Sequence, residues 1–482
     1  MSVTNKLIGR EPEIEILNAL LQSKQAEFLA IYGRRRVGKT FLIRQHLHNS
    51  IVFDFTGTKD GTKEQQLSNF YAEFLKRSRK KKQPPINWFE AFSYLESYLS
   101  GLSGKKAKLV VFIDEMPWLD TPKSGFTSAL EFFWNQHASS MHNVVLIACG
   151  SATSWIRKKL INARGGLHNR VTKRIRLLPF NLHETELFIN ALGAKLTRYQ
   201  ILEIYMVMGG IPFYLKEIVK GKSATQLIDN ICFSQNGLLN TEYAQLYHSL
   251  FKNADYHIAI IEALASRPQG MARSDIAHRT KINEGSLTRT LEELVECDFV
   301  SIYQPFINKK KHSIYKLTDL YSLFYLKFIK LNRKGGKGTW QILSKQNSFT
   351  AWSGYAFENI CMMHINQIKA ALGIAGVYCE VSSWLFRGTD SLPGAQIDMI
   401  INRGDNVINL CDAKFTKDNF AMSKKYGEQL RNQKSVFRQA THTKKATFVT
   451  LLTTYPALKN QHYLGEIDSE VTMDKLFIEV NQ

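Results

Sequence analysis

Residues 28–47, FLAIYGRRRVGKTFLIRQHL, constrain the fold of this chain more than any other stretch. An apolar, strand-sized run leads into Gly33, four intervening residues, Gly38, Lys39 and Thr40, and a helical pattern follows. Strand, glycine-bounded turn and helix in that order read as a phosphate-binding loop. The two glycines let the backbone N–H groups across Arg34, Arg35, Arg36 and Val37 turn inward around phosphates. Lys39 then reaches the β and γ oxygens, the Thr40 hydroxyl binds Mg2+, and the helix dipole favours the anion. The bare motif does not distinguish ATP from GTP.

The second half of such a site should be a buried strand that ends in acid, and KLVVFIDEMPWL at 108–119 supplies it. Asp114 is placed to hold Mg2+ through water, and Glu115 to orient or activate the attacking water. A further apolar run, VVLIACGS at 144–151, ends in Ser151, which can either sense the γ-phosphate or cap the next helix.

A chain of 482 residues exceeds one hydrophobic core, and roughly 150 residues per domain predicts about three units. The 63 Lys and Arg against 42 Asp and Glu leave a net charge of +21. That excess favours a polyanionic partner, nucleic acid or an anionic membrane surface, and says nothing about sequence specificity. The longest apolar runs fall short of the ~20 residues that a membrane span requires. The first residues, MSVTNKLIGREPEIE, lack the apolar core of a signal peptide, so a cytoplasmic protein is the default expectation. Cys149, Cys232, Cys297, Cys361, Cys379 and Cys411 form no CxxC pair and read as reduced, mostly buried thiols. KRSRKKKQPP at 76–85 is a basic run broken by prolines and is expected to be a loop, solvated or touching phosphates.

From about residue 255 the pattern becomes three short helices and a hairpin, the order of a winged helix: YHIAIIEALAS, RSDIAHRT, EGSLTRTLEELVECD, then FVSIYQPF and SIYKLTD around INKKKH. In such a module the third helix can enter the major groove, with Ser286, Thr288 and Arg289 as candidates, while Lys309, Lys310 and Lys311 meet phosphates. Ile276, Leu287, Leu291 and Leu294 are core by spacing. Glu292, Glu293 and Glu296 make that helix less basic, and winged helices also serve as protein–protein spacers.

NRKGGKGTW at 332–340 reads as a flexible linker. A helix over AWSGYAFENICMMHINQIKAAL then carries one acid, Glu358, followed by a strand near VYCEVSSWLF, the hairpin QIDMIINRGDNVINLCDAKF, the basic helix SKKYGEQLRNQKSVFRQA and a strand ATFVTLL. With a three-residue loop Gly404-Asp405-Asn406 and Asn406 left-handed, Asp398 stands opposite Asp412, and Lys414 shares their face. Opposed like charges repel, so a cation is expected there. The candidates are a divalent metal, or basic neighbours such as Lys414 and Arg431.

That last segment, about 350–475, resembles the PD-(D/E)XK nuclease superfamily, specifically the nuclease-like domain fused to archaeal-type ATPases. The resemblance implies that Asp398 and Asp412, with help from Glu358, hold Mg2+ or Mn2+, that Lys414 stabilises developing charge or positions water, and that Tyr426 and Gln429 support them. Ile397 stands where the nominal pattern has proline, and Asp412 is the shorter acid at the D/E position. Residues 5–220 resemble the archaeal-type ATPases of the AAA+/STAND group through Gly9-Arg10-Glu11, GRRRVGKT, FIDEMPWL, GSATSW and Gly209-Gly210-Ile211-Pro212. This second resemblance implies ATP as the nucleotide, Arg10 near the adenine, and Arg170 as either an arginine finger or a solvated strand-end residue.

The expected fold is α/β and multidomain: a P-loop AAA+/STAND-like core over 1–180, a helical lid over 181–250, a winged helix over 251–331, a linker over 332–345, and a restriction-endonuclease-like α/β domain over 346–482. The expected function is ATP binding and hydrolysis coupled to metal-dependent DNA cleavage. The alternative is an ATP-dependent DNA-binding switch with an inactive nuclease fold. A third class is a chaperone-like ATPase acting on a protein. DNA is the expected partner, a membrane is not, self-assembly is compatible with the residues, and no residue identifies a protein partner.

Overall fold

The computed structural model describes residues 6–102, 104, 108–163, 165–304, 306 and 313–480. The chain divides into two units, Met1–Pro179 and Phe180–Gln482.

The first unit is built on β1 (Glu27–Tyr32), β2 (Ile51–Thr56), β3 (Leu109–Asp114), β4 (Val144–Gly150) and β5 (Lys173–Arg176), all parallel, in the order β2-β3-β4-β1-β5. Every residue of β3 and β4 is buried, which is why both read as unbroken apolar runs rather than as an alternation. The covering helices are α1 (Glu11–Gln22), α2 (Lys39–His46), α3 (Lys63–Ser78), α4 (Trp88–Ser100), α5 (Phe126–Gln136) and the single turn α6 (Thr153–Ile156). Phe28, Phe53, Phe70, Trp88, Phe126 and Phe133 fill the space between sheet and helices. Parallel strands bring the carboxyl ends of β1, β3 and β4 to one edge of the sheet, where ligands of open α/β sheets bind.

The expected loop over 76–85 begins later than the sequence suggested. A Thr62–Gln65 capping box starts α3, and the helix continues to Ser78 before Arg79 turns left-handed at φ 57°. Burial of Leu67, Phe70 and Phe74 carries the helical period that far, and Lys76 and Arg77 suit the negative end of its dipole.

The second unit opens with helices α7 (Leu182–Ala191), α8 (Arg198–Met208), α9 (Pro212–Leu215), α10 (Ala224–Ile228) and α11 (Leu238–Leu250). Capping boxes at Asn181/Glu184, Thr197/Gln200 and Ser223/Gln226 start three of them. Gly210 passes so close to Phe180 that a Cβ would lie 1.7 Å from its carbonyl oxygen, so only glycine fits. Helices α12 (Ala254–Ala265), α13 (Arg273–Thr280) and α14 (Glu284–Glu296) follow, with a small antiparallel sheet of β6 (Met271–Ala272), β7 (Val300–Tyr303) and β8 (Ile314–Leu317) in the order β6-β8-β7. Ile276, Leu287, Leu291 and Leu294 are buried, as their spacing predicts. Lys309, Lys310 and Lys311 lie outside the described residues.

After α15 (Leu320–Phe324), the expected flexible linker is anchored instead. Thr339–Leu343 forms α16, and Trp340 is buried against Phe324, Phe328 and Trp352. Its backbone N–H donates to Asp229 at 2.7 Å. A tryptophan that removes its whole ring from water offsets the chain entropy that the neighbouring glycines would otherwise retain.

The remainder comprises α17 (Asn347–Met363), α18 (Ile365–Ala371), α19 (Lys424–Thr441), α20 (Gln461–Glu466) and a five-stranded sheet: β9 (Cys379–Phe386), β10 (Ala395–Arg403), β11 (Val407–Lys414), β12 (Ala446–Thr453) and β13 (Ser469–Thr472). Its order is β13-β12-β11-β10-β9. The first three strands form an antiparallel meander, and β12 and β13 join β11 in parallel. The sequence did not signal α20 or β13. The single helix expected over 351–372 breaks at His364. The His364 ring bonds the Ile360 carbonyl through Nδ1 and accepts from the Leu182 N–H through Nε2, at 2.8 and 3.0 Å. The six cysteines are free thiols, all buried except the half-buried Cys379. Among the described residues no helix is long and apolar enough to cross a membrane.

Candidate functional site

The first unit assembles the phosphate-loop residues as a cradle. Gly33 has φ 142°, and a Cβ on it would lie 2.2 Å from the Leu177 carbonyl oxygen, so glycine is required. Arg36 and Gly38 also have positive φ, 73° and 96°. These angles curl the backbone between β1 and α2 around a hollow at the helix N-terminus. Lys39 is buried, with its Nζ donating to the Gly33 and Arg34 carbonyls at 2.9 Å each. Val37 is buried and Arg35 exposed. The Val37 carbonyl accepts from Arg10 Nη2 at 3.2 Å, so the Gly9-Arg10 segment lies against the loop.

Asp114, at the end of β3, is buried and accepts the Thr40 hydroxyl at 2.8 Å. Glu115 follows at φ 45°, an uncommon backbone for a glutamate. Its carboxylate accepts both the Ser151 hydroxyl and, at 3.2 Å, the Ser151 backbone N–H. Ser151 therefore engages the glutamate. Ala152 takes the N-cap position of α6, so of the two expected roles helix capping is not what the serine does. Arg170 is exposed, and its Nε donates to the Gly166 carbonyl at 3.4 Å.

The second unit gathers the carboxylates. The β10–β11 register runs from Asn402↔Ile408 to Met399↔Cys411, with Asn406 left-handed at φ 66°, and one further step sets Asp398 opposite Asp412. The pairing of β10 with β9 shifts between Ile397 and Ile400, a bulge beside Asp398 of the kind that re-aims a side chain. Lys414 Nζ lies 2.8 Å from Asp412 Oδ2, and the Tyr426 hydroxyl donates to the same oxygen at 2.6 Å. Burial and the Asp412 charge push the Tyr426 phenol far up, so it stays a donor. Burial, then Glu358 and Asp412, push Asp398 up to about 7. Glu358 is raised as well, chiefly by burial.

Two expected partners are elsewhere. Gln429 is exposed, whereas Gln433, one turn later, donates to the Gln396 carbonyl at 2.9 Å, and the Gln396 amide in turn donates to Asp398 at 3.3 Å. Seven residues from Tyr426 is nearly two full turns, and that spacing picks Gln433 out of the sequence. Arg431 pairs with Glu466, at 2.6 Å, and not with the carboxylate pair. Lys316 was missed altogether. It reaches Glu358 from β8 at 3.5 Å, and no local pattern marks it.

Three carboxylates form a hard, all-oxygen donor set suited to Mg2+ or Mn2+. As placed, they do not converge: among the described residues no three His, Cys, Asp or Glu side chains are grouped to hold one ion.

The expected base-reading residues are partly engaged. Arg289 Nε pairs with Glu293 at 3.0 Å, and the Thr288 hydroxyl donates to the Glu284 carbonyl while accepting from Arg273. Ser286 is half-buried.

A parallel sheet with a glycine-bounded loop, a buried lysine and an aspartate-held threonine defines the first unit as a P-loop nucleotide-binding domain. Residues 7–218 match a family described as an ATPase domain predominantly from Archaea, so the chain carries an ATPase domain of archaeal type. An uncharacterized protein of Methanocaldococcus jannaschii is 25% identical over 387 residues, 80% of this chain and 82% of that protein. An uncharacterized ATP-binding protein of the same organism is 43% identical over 45 residues, 9% of this chain and 76% of its own length. Among solved structures, a Walker-type ATPase of Pyrococcus abyssi covers 66% of this chain and 96% of its own at 18% identity and a TM-score of 0.46. The ORC2 protein of Aeropyrum pernix covers 68% and 95% at 14% identity and a TM-score of 0.40.

Proposed function

We propose that this protein couples ATP binding and hydrolysis in its first unit to metal-dependent cleavage of DNA by residues 346–482. The observation that carries the second half is the common face of Asp398, Asp412 and Lys414, joined by Glu358 from α17, in a setting that leaves Asp398 too poorly neutralised to ionise at its ordinary pH. A purely structural aspartate would sit with a full countercharge.

In the ATPase domain, Lys39 would exchange its loop carbonyls for the β and γ phosphate oxygens, and Thr40 and Asp114 would hold Mg2+. Glu115 directs the attacking water, with Ser151 holding its carboxylate until the γ-phosphate competes for the serine. Arg10 flanks the base. Arg170, exposed in its own subunit, is proposed as a finger offered to a neighbouring copy.

In the C-terminal part, Asp398, Asp412 and Glu358 would hold Mg2+ or Mn2+. Such an ion supplies Lewis acidity at the phosphoryl oxygen and a lowered pKa for its water. Lys414 stabilises the charge that develops on the phosphorus oxygens. Tyr426 orients Asp412 through its hydroxyl, and Gln433 steadies the strand beside Asp398 through Gln396. The DNA assignment draws on the net charge of +21 and on the helix–helix–helix–hairpin order of residues 254–317, which supports the winged-helix reading.

The test is cleavage of supercoiled, linear and single-stranded DNA with Mg2+ or Mn2+, with and without ATP, by wild type, Asp398→Ala and Lys39→Ala. Cutting that disappears in Asp398→Ala and changes in Lys39→Ala supports the reading. The Lys414–Asp412 and Lys316–Glu358 ion pairs favour a second reading, an ATP-dependent DNA-binding switch whose nuclease fold is inactive. That reading predicts nucleotide-dependent DNA binding and no cutting with any divalent metal.

A further inference from the structure

The hairpin of β7 and β8 lies against the carboxylate site, and its grip uses one face of α17. Glu358 and Asn359, adjacent on α17, both meet β8, and Tyr355, one turn earlier on the same face, meets Gln269 ahead of β6. The Gln269 amide donates to the Tyr355 hydroxyl at 3.4 Å, Lys316 Nζ stands 3.5 Å from Glu358 Oε2, and the buried Asn359 amide donates to the Leu317 carbonyl at 3.3 Å. Phe306, beyond β7, packs on Phe437 of α19 with ring centroids 5.2 Å apart, joining the apolar cluster of Trp384, Ile397 and Ile400. Lys316 also acts electrostatically on Asp398, and its side chain is only 14% exposed beside a Glu358 side chain at 15%.

A lysine held by surface chance would keep its ammonium in water, because ordering and desolvating it against one carboxylate yields little. Here the strand, the asparagine contact and the phenylalanine anchor bring that ammonium against Glu358 and within electrostatic reach of Asp398. Resting on the nuclease reading above, we infer that the β7–β8 hairpin is an autoinhibitory plug: Lys316 stands in for the catalytic divalent cation, ties up Glu358, and must withdraw before the three carboxylates can close on a metal ion. The same hairpin is the one proposed to meet DNA phosphates, so polyanion binding and site opening draw on one element. A phosphate backbone competes with Glu358 for Lys316, and the withdrawal of the hairpin frees the acid at the moment substrate arrives.

The plug is tested on the full chain with Mn2+ as the probe. Binding is read from the electron paramagnetic resonance of free Mn2+, and hairpin release from amide hydrogen exchange at 300–303 and 314–317. Wild type, Lys316→Met and Lys316→Arg are compared, with Asp398→Ala as the site control. Lys316→Met should bind Mn2+ about tenfold more tightly or better, from removal of one nearby positive charge, while Lys316→Arg stays near wild type. In wild type, saturating Mn2+ should speed exchange across both strands, and in Asp398→Ala it should not. Faster hairpin exchange and tighter Mn2+ binding without DNA cutting by any form would keep the plug and remove the nuclease reading. DNA cutting by wild type together with unchanged hairpin exchange on Mn2+ addition would keep the nuclease and overturn the plug. Equal Mn2+ affinity in wild type and Lys316→Met, or no Mn2+ binding by either, also overturns it.

Discussion

The Thr40 hydroxyl donates to Asp114 across 74 positions of sequence, joining the phosphate loop to the acidic end of β3 at 2.8 Å. This bond and the Ser151–Glu115 contact tie the phosphate loop and the ends of β3 and β4 together along one edge of the sheet. Glu115→Gln should retain ATP binding and lose turnover by about 100-fold or more, the scale of a lost general base. Ser151→Ala should lower kcat by less, because the Ser151 backbone N–H still reaches Glu115. Steady-state ATPase rates beside nucleotide-binding isotherms check both, and a Glu115→Gln protein that turns over ATP at the wild-type rate would remove Glu115 from the mechanism.

Tyr426 and Asp412 make the corresponding contact in the second unit. Tyr426→Phe keeps the ring and removes the hydroxyl, so DNA cleavage should fall by roughly 10- to 100-fold, the usual cost of removing such an outer partner. Asp412→Ala should abolish cleavage and leave ATP hydrolysis intact. Unchanged cutting by purified Asp412→Ala would refute the assignment.

Glu203 on α8 is pushed up to about 7, first by burial, against the weaker pull of Lys417. It lies one helical turn beyond Tyr199, which stacks on Phe415 and Tyr455. A carboxyl whose folded pKa exceeds its unfolded value contributes stability when protonated, and that contribution is lost as pH rises from about 4.5 to 7. Glu203→Gln should therefore stabilise the second unit at pH 8, by on the order of 1–3 kcal/mol, with the gain shrinking below pH 5. Denaturant midpoints at the two pH values decide it, and equal shifts at both would exclude ionisation as the cause.

His364 has the opposite sign. Burial pushes it down to about 4, and its neutral ring accepts from the Leu182 N–H. The stability it contributes is complete above its unfolded pKa of 6.5 and is lost as pH falls from there towards 4. His364→Gln should flatten that part of the acid unfolding curve while lowering stability at pH 7.5, as followed by circular dichroism.

Trp340→Ala should cost about 3–5 kcal/mol, the range for deleting a large buried aromatic. Unfolding in denaturant measures it. A loss under 1 kcal/mol would mean that the segment after the glycines is the flexible linker its composition suggests.

The two sites were legible to different depths. In the first unit nearly every site residue lies in a short contiguous motif, because loop, strand and helix must be consecutive to cradle a phosphate. The facing of Asp398 and Asp412 was legible because a three-residue turn and a side-chain period of two leave one register. Gln433 was within reach from helical spacing, although Gln429 was expected. Trp340 was masked by its glycine neighbours, and the break at His364 by the apolar residues around it.

The sequence by itself determined the elements around the two sites, the phosphate loop and the pairing of the two aspartates, since these depend on residues adjacent in the chain or related by one turn. Only the tertiary structure decided that Ser151 holds Glu115, that His364 meets Leu182, and that Lys316 reaches Glu358. Each of those contacts joins residues that no local periodicity relates. They follow from burial of apolar faces, which brings side chains together whatever their separation along the chain, and the charges so buried then take the partners that packing leaves within reach.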